Sequence, residues 1–594
     1  MSLDIDLPVP IIKTKLAHEL IEAQAIAEGL SPLIAGIVAR RSLCAADSIG
    51  AALSPTLRQL TRPFDMADMD RAAARVAQAI IHQEYIGLET DHDCDGQTSH
   101  ALLYHNLVFI FKHPADKVQS YIGHRLNEGY GLSQSVADRI LAADPRPQLL
   151  ITADNGSSDE ARIAQLKAAG IEVIVSDHHA LPTEGIPKSA YACLNPTRAD
   201  CGYGDPYIAG CMVAWLLMAA TRQKLLSAGY LAADTPTLMD SLDFVALGTV
   251  ADCVSIARSI NNRIVVSYGL ALINQGLRPC WRAISHNHSA ARLKAEDLAF
   301  KVAPLLNSDG RLRDAFGSLH FLLAEHEEEA MGLLWALEDQ NAARKKIQKE
   351  IIAQGLIEAK KQFQAQKKSL CIYLADGHTG VHGVAASRIA ELFGRPTIFL
   401  APSVRDPSYI SGSMRGIEGF HVRDALQQMA DQHAGLFEAF GGHRAAGGLT
   451  LHQTKLPILM EAFEVATEAQ AAHCAFGPVC WTDGALKAED LQLSLLDALE
   501  ILEPCGREFQ APIFEIDAFL RKIHWVGDGT HARLSLSAGS VVFQGIWFQC
   551  RSHKEAAVPV LLNQLYRVAF SLRANVYQCK RRLDVQIVQM QPTD

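Results

Sequence analysis

Short apolar runs that end in acidic or imidazole side chains set the pattern of the first half of the chain. Tyr85-Ile86-Gly87-Leu88 leads to Asp91, Asp93 and Asp95; Leu149-Leu150-Ile151 leads to Asp154; Val173-Ile174-Val175 leads to Asp177-His178-His179; and residues 244–250 lead to Asp252. Helical stretches at 134–141 and 160–169 separate the runs, so residues 85–256 carry the strand-helix rhythm of a parallel sheet covered by helices. The C-terminal edge of such a sheet opens into a crevice where carboxylate oxygens and imidazoles can converge on divalent cations, and all four acidic segments are expected there. One Asp after a strand is ordinarily a turn former or a helix cap. An ordered set of three alternating Asp, an Asp before Asn155-Gly156, an Asp-His-His and a final Asp is better explained by metal ligation.

Elsewhere the pattern changes. Residues 11–81 place apolar side chains at three- and four-residue steps, with breaks near Ser54-Pro55 and Arg62-Pro63, which predicts a helical lead-in. Residues 324–368 contain no Pro and only Gly332 and Gly355; they open on Glu325, Glu327, Glu328 and Glu329 and close on Lys360, Lys361, Lys367 and Lys368. That polarity suits the helix macrodipole, either as one long connecting helix or as two helices broken at Gly355. Strand-helix alternation returns from Cys371 to Leu451. Beyond Gly477, residues 514–519, 532–536, 541–548, 566–572 and 583–588 read as strands of a small antiparallel barrel. The fold class is therefore α/β with an appended β-barrel. Its predicted boundaries are 1–84 for the lead-in, 85–323 for the acidic domain, 324–368 for the connecting helix, 369–476 for a second α/β domain and 477–594 for the barrel.

Composition narrows the function classes. A chain of 594 residues exceeds one core and should divide into about three to five units. No apolar stretch reaches the ~18 residues that span a bilayer, and the first eight residues lack the basic start and apolar run of a signal peptide, so a cytoplasmic, non-membrane protein is expected. Thirteen Cys without a Cys-x-x-Cys pair argue against a zinc ribbon or a disulfide scaffold. Cys94 and Cys253 lie among hard ligands and read as small wall residues. The net charge of −10 does not exclude nucleic acid, because bound cations would offset the Asp cluster and local basic patches set phosphate affinity.

With these residues in view the chain resembles the DHH phosphoesterase superfamily and, within it, the RecJ exonuclease family. The resemblance covers nearly the whole chain. Its motifs are Asp91-His92-Asp93-Cys94-Asp95-Gly96, Asp154-Asn155-Gly156, Asp177-His178-His179 and Gly248-Thr249-Val250-Ala251-Asp252. The family usually has an aromatic where His92 stands and Ala where Cys94 stands. More specific to RecJ are residues 125–132, residues 303–311 and the run Gly442-His443-Arg444-Ala445-Ala446-Gly447-Gly448, accompanied by His378, Ala386-Ser387-Arg388 and Ser413-Met414-Arg415. Met414 and Gly416 depart from the Gly and Ser usual in that last motif. The resemblance implies a DHH catalytic domain, a DHH-associated substrate-binding domain at 369–476 and a C-terminal OB-fold.

It also implies chemistry. Asp154 would bridge two divalent metals, Mn²⁺ or Mg²⁺; Asp91 would serve the first, while Asp93, His178 and Asp252 would complete the second. Asp95 and His179 would act as ligands or as outer partners that orient a ligand or relay a proton. Arg125, Arg311, Arg388 and Arg415 are candidate phosphate clamps, with Asn307, His378, Ser413, Gly442 and His443 beside them in the substrate-binding set. Trp525, His531, Arg533, Trp547, Tyr577, Lys580, Arg581 and Arg582 mix aromatic and basic groups in the manner of a single-strand platform. The expected activity is 5′ to 3′ hydrolysis of single-stranded DNA to mononucleotides in repair and recombination. A single-strand-binding protein and a repair helicase are the implied partners, and a monomer is expected. A small-substrate DHH phosphodiesterase or pyrophosphatase and a non-catalytic replication scaffold are the alternatives.

Overall fold

The computed structural model describes residues 7–41, 43, 48–124, 128–287, 292–312, 316–404, 406–551, 554, 556, 560–577 and 580–593, with the side chains of 311, 312, 576, 577 and 580 left out. They form two compact units. One comprises residues 41–343 and 502–510, the other residues 1–40, 344–501 and 511–594.

The first unit is built on a five-stranded, all-parallel sheet. Its strand order is Val118–Ile122, Ile86–Thr90, Leu149–Ala153, Glu172–Ser176 and Ala192–Leu194. Burial of Ile86–Thr90 and Leu149–Ala153 at every position explains why Ile86-Gly87-Leu88 and Leu149-Leu150-Ile151 are continuously apolar instead of alternating. Strand order reverses at Ile86–Thr90, and in such sheets ligands bind where the order switches, at the C-terminal edge. Thr90 pairs with Ala153, Ala153 with Ser176 and Ser176 with Leu194, so Asp91, Asp154 and Asp177 emerge side by side.

Helices then close the edge. Cys94–His105 starts within the first acidic motif, Gly210–Ser227 is buried through Met218, and Leu242–Ala251 packs against both. Residues 244–250 are therefore helical. Asp252 reaches the site as the residue that ends a buried helix, and not at the end of a strand as its apolar run suggested. The reason lies in periodicity: a helix buried all round is as continuously apolar as a buried strand.

Residues 502–510 belong to this unit although their neighbours in sequence do not. Arg263, fully buried, holds them: its guanidinium donates to the carbonyl oxygens of Leu502, Glu503 and Pro504 at 3.3 Å and lies over the Phe509 ring, while Nε donates to Ala52 O.

The second unit contains a mixed sheet ordered Ala439–Gly442, Ala446–His452, Tyr409–Arg415, Thr397–Pro402 and Leu370–Tyr373, in which only the last two strands are parallel. It also contains a closed barrel of Phe514–Val526, His531–Ala538, Val541–Trp547, Leu565–Tyr577 and Lys580–Pro592. The barrel is antiparallel except where Val541–Trp547 pairs in parallel with Lys580–Pro592 to close it. The helical lead-in needs correction at its start. Ile11–Thr14 is a strand paired in parallel with Val479–Thr482, and residues 1–40 belong with this unit.

The connecting segment is one helix, Glu327–Gln364, unbroken at Gly355. A Cβ at that glycine would come within 2.6 Å of the Phe399 ring, so Gly355 serves close packing against the Thr397–Pro402 strand and does not end the helix. Among the described residues no helix is long and apolar enough to cross a membrane.

Candidate metal centre

The first motif is a strand end that turns directly into a helix. Asp93 is the N-cap of Cys94–His105 and accepts from Asp95 N and Gly96 N. Gly96 is required by space: a Cβ there would lie 2.2 Å from Asp91 O, a backbone atom that cannot yield without moving Asp91 itself. Asp95 points the other way and is buried, accepting from Gly210 N at 2.7 Å and Cys211 N at 3.0 Å. A carboxylate at a helix N-terminus meets unpaired N–H groups and the positive end of the dipole. Asp95 thereby fastens the Gly210–Ser227 helix to the site.

Asp154 occupies the left-handed region, with φ 64°, and the turn continues through Gly156 at φ 105°. A side chain at Gly156 would meet Thr152 Oγ1 at 2.6 Å as well as adopting a disfavoured backbone, which accounts for the Asp-Asn-Gly sequence. In the third motif Asp177 is the organiser. Its Oδ1 accepts from His178 N at 2.7 Å, His179 N at 3.1 Å and the His179 ring at 2.8 Å, and its Oδ2 accepts from Ser157 N.

The structure brings the predicted ligands into three overlapping groups, each with ligand atoms within 4.8 Å of one another: Asp91, Asp93 and Asp154; Asp154, His178 and His179; Asp95, His178 and Asp252. Asp154 and His178 each belong to two. His178 Nε2 lies 3.2 Å from Asp154 Oδ1 and 3.5 Å from Asp252 Oδ2. Buried His178 Nε2 and Asp154 Oδ1 nevertheless lack a hydrogen-bond partner among the described residues.

Charge in this crevice is poorly balanced. Burial, followed by Asp95, Asp93, Asp252 and Asp91, pushes the Asp154 carboxyl well above the ordinary carboxylate range; burial, Asp95 and Asp93 do the same to Asp252. Asp93 is raised by burial and by Asp91 and Asp95. Burial would also raise Asp91 and Asp177, but the neighbouring imidazoles outweigh it, chiefly His92 for Asp91 and His179 for Asp177, and hold both low. Burial, then the neighbouring His179, lowers His178 to about 4, leaving it neutral and able to offer a lone pair. His179 is carried up to about 10, its burial overcome by Asp177 and then by Asp252 and Asp91. Hard oxygen donors with a neutral imidazole and an excess of buried negative charge suit divalent cations. Burial and the same carboxylates push the Cys94 thiol well above its usual value, which suits a wall residue.

Three groups to which the sequence assigned no role belong to this site. His92 Nδ1 is 2.9 Å from Asp91 Oδ1, with the Tyr130 ring centred 5.0 Å from its own. Glu89 is fully buried one strand repeat before Asp91 and accepts from Asn155 Nδ2 at 3.4 Å. Asp177 was visible as the first residue of its motif, but only the fold reveals that it orients both imidazoles.

The substrate-binding set divides. Arg125 and the side chain of Arg311 lie outside the described residues. Asn307 Oδ1 accepts from Cys94 N at 2.9 Å and so supports the ligand loop. In the other unit Arg415 Nε donates to Ser387 Oγ at 3.1 Å, and Arg415 and Ser413 lie against Gly383, where a Cβ would be 2.7 Å from the guanidinium. His378 caps the turn that follows it, accepting from Gly380 N, and Arg388 faces Glu391 instead of the Arg415 cluster. Gly442 at φ 150° lies at the edge of the sheet with exposed His443 next in sequence. In the barrel Trp525 is stacked under Arg551 at 3.5 Å, and His531 accepts from Gln549 N. Arg533, Trp547 and Arg582 are at least partly accessible, but Arg581 is engaged with Asp497 and Glu500. The side chains of Tyr577 and Lys580 lie outside the described residues.

Family profiles match the chain in three stretches: the DHH family, N-terminal domain over residues 85–249, the DHHA1 domain over 366–469 and the RecJ OB domain over 482–589. The single-stranded-DNA-specific exonuclease RecJ of Haemophilus influenzae is 31% identical over 557 residues, covering 91% of this chain and 94% of the relative. The protein of the same description from Dickeya dadantii is 33% identical over 551 residues, covering 91% and 93%. RecJ of Thermus thermophilus in complex with Mn²⁺ shares the fold with a TM-score of 0.76 at 23% identity, covering 99% of this chain and 80% of that one. With three domain matches in the same order and relatives above 30% identity along nearly their full length, the chain belongs to the RecJ family of DHH-type exonucleases.

Proposed function

We propose that this protein degrades single-stranded DNA from the 5′ end, releasing 5′-mononucleotides by two-metal phosphodiester hydrolysis, as a monomer in the cytoplasm during repair and recombination. One observation carries the reading: the ligand groups overlap at Asp154, as a carboxylate shared between two cations requires. Asp91 and Asp154 would hold one Mn²⁺ or Mg²⁺, and Asp154, His178 and Asp252 the other; Asp93, which the resemblance gave to the second ion, groups instead with Asp91 and Asp154 and would serve the first. When bound, such a pair supplies Lewis acidity to the phosphate and to the attacking water.

The residues of the chain do the rest. Asp177 keeps a proton on the His179 ring and aims it, so that His179 can protonate the departing oxygen. Asp95 braces the wall through Gly210 N and Cys211 N, and Asp93 shapes the ligand loop. The Arg415, Ser387 and Ser413 cluster would receive a terminal 5′ phosphate, and the barrel would track the strand by stacking and charge. The substrate class is taken from the description of the relatives, and a single-strand-binding protein and a repair helicase are the partners the family resemblance implies. A small-substrate phosphodiesterase needs no barrel, and a non-catalytic scaffold needs no intact ligand set.

The test is Mn²⁺-dependent product release from 5′-labelled and 3′-labelled single strands. Early release of labelled mononucleotide from the 5′-labelled strand is expected. Initial release from the 3′ end, or no hydrolysis with either metal, would overturn the reading.

A further inference from the structure

The segment 502–510 approaches the metal centre more closely than its place in sequence suggests. Ile256 N, four residues beyond Asp252, donates to Arg507 O at 3.1 Å. Gly506 permits the approach, since a Cβ there would lie 2.6 Å from Ile256 Cγ1. On the other side Glu508 accepts from Ser255 Oγ at 2.5 Å and pairs with Arg258 at 3.1 Å. Residues flanking Arg507 are thus fastened to the loop that carries Asp252, and the Arg263 contacts fasten the segment behind them.

Arg507 itself is exposed, and among the described residues its guanidinium has no hydrogen bond or ion pair. The bond that its carbonyl oxygen accepts from Ile256 N places it on the Asp252 side of the site. An anchored backbone beneath a free guanidinium, beside carboxylates that cations would neutralise, is an arrangement suited to phosphate, which the guanidinium fork can grip at two oxygens.

We propose that Arg507 is a phosphate-contacting residue of the nuclease site, gripping a backbone phosphate of the strand beside the scissile one. The inference rests on the phosphodiesterase reading above. It gives the 502–510 segment a role beyond joining two parts of the chain: it lends the metal centre a guanidinium, which the DHH motifs do not contain.

The experiment compares full-length wild type, Arg507→Ala and Arg507→Lys. Steady-state kinetics on a short single-stranded oligonucleotide should show KM raised about tenfold or more in Arg507→Ala with kcat changed far less, and partial recovery in Arg507→Lys. The Mn²⁺ half-saturation should be unchanged. Independently of turnover, binding of a fluorescent oligonucleotide in Ca²⁺ is measured against salt; losing one phosphate contact should reduce the slope of log K against log[salt] by about 0.7. An unchanged KM and salt slope would overturn the proposal, as would a shifted Mn²⁺ half-saturation as the sole effect, which would make Arg507 an electrostatic partner of Asp252 only. A wild type without metal-dependent hydrolysis would instead count against the functional reading, while the salt slope would still report on Arg507.

Discussion

Replacing Gly248 with Ala should destabilise the metal-binding unit, although the same change in a helix normally helps. Gly248 is inside the Leu242–Ala251 helix, where exchanging Gly for Ala would ordinarily gain about 0.5–1 kcal/mol. A Cβ at this position would meet Thr98 Oγ1 at 2.4 Å, Cys211 Sγ at 2.5 Å and Asp95 Oδ1 at 2.6 Å. All three belong to buried residues, so overpacking should cost about 1–3 kcal/mol. Displacing Asp95 also loosens its bonds from Gly210 N and Cys211 N, and a buried donor left unpaired adds about 1–3 kcal/mol. The costs exceed the propensity gain, and a net loss of about 2–4 kcal/mol is expected, with hydrolysis impaired because Asp95 and Asp154 both abut Gly210. Gly332 is the control. It lies in the Glu327–Gln364 helix with nothing within 4 Å of an added Cβ, so Gly332→Ala should stabilise by about 0.5–1 kcal/mol at unchanged activity. Urea unfolding followed by tryptophan fluorescence, with Trp215 and Trp281 buried in the same unit, reads both variants. A Gly248→Ala protein as stable and as active as wild type would refute the packing argument.

Asp154→Ala should abolish hydrolysis while leaving single-strand binding largely intact, since a shared ligand touches little of the substrate; near-wild-type rates in metal-replete mutant would remove Asp154 from the centre. His178→Ala should raise the Mn²⁺ concentration needed for half-maximal rate, and an unchanged titration would exclude His178 as a ligand. Stripping metal with EDTA should expose a pH dependence. Asp154, Asp252 and Asp93 have folded values above 3.8 and His179 has one near 10, so the stability they contribute is complete below their unfolded values and is lost as pH rises through the folded ones. The depressed groups, Asp91, Asp177 and His178, contribute stability that is already complete above about pH 7. The unfolding midpoint of metal-free protein should therefore fall between pH 7 and 9, and Mn²⁺ should flatten the trend; a midpoint rising over that range would contradict the charge assignment. Trp525→Ala should weaken binding to long single strands more than turnover of a short oligonucleotide, and equal loss on both would make the Trp525 and Arg551 stack structural. Arg415→Ala should erase any preference for 5′-phosphoryl over 5′-hydroxyl ends, by more than the ~0–1 kcal/mol of an exposed pair, and an undiminished preference would place end recognition elsewhere.

By itself the sequence marked the candidate ligands, the parallel sheet that presents three of the four acidic motifs, the helical character of the connecting segment and the barrel strands. These are local: an apolar run with a charge at its end, or a helix period without Pro, is written in consecutive residues. Tertiary structure decided what depends on distant partners. Residues 244–250 became a helix because they are surrounded by other helices, a fact their apolar run alone cannot express. Gly355 looked like a break but is a point of contact with Phe399. Ile11–Thr14 is a strand only because Val479–Thr482 offers it an edge. The segment 502–510 carries no periodicity of its own, and buried Arg263, through three carbonyl oxygens, makes it part of the metal-binding unit and brings Arg507 to the rim of the site.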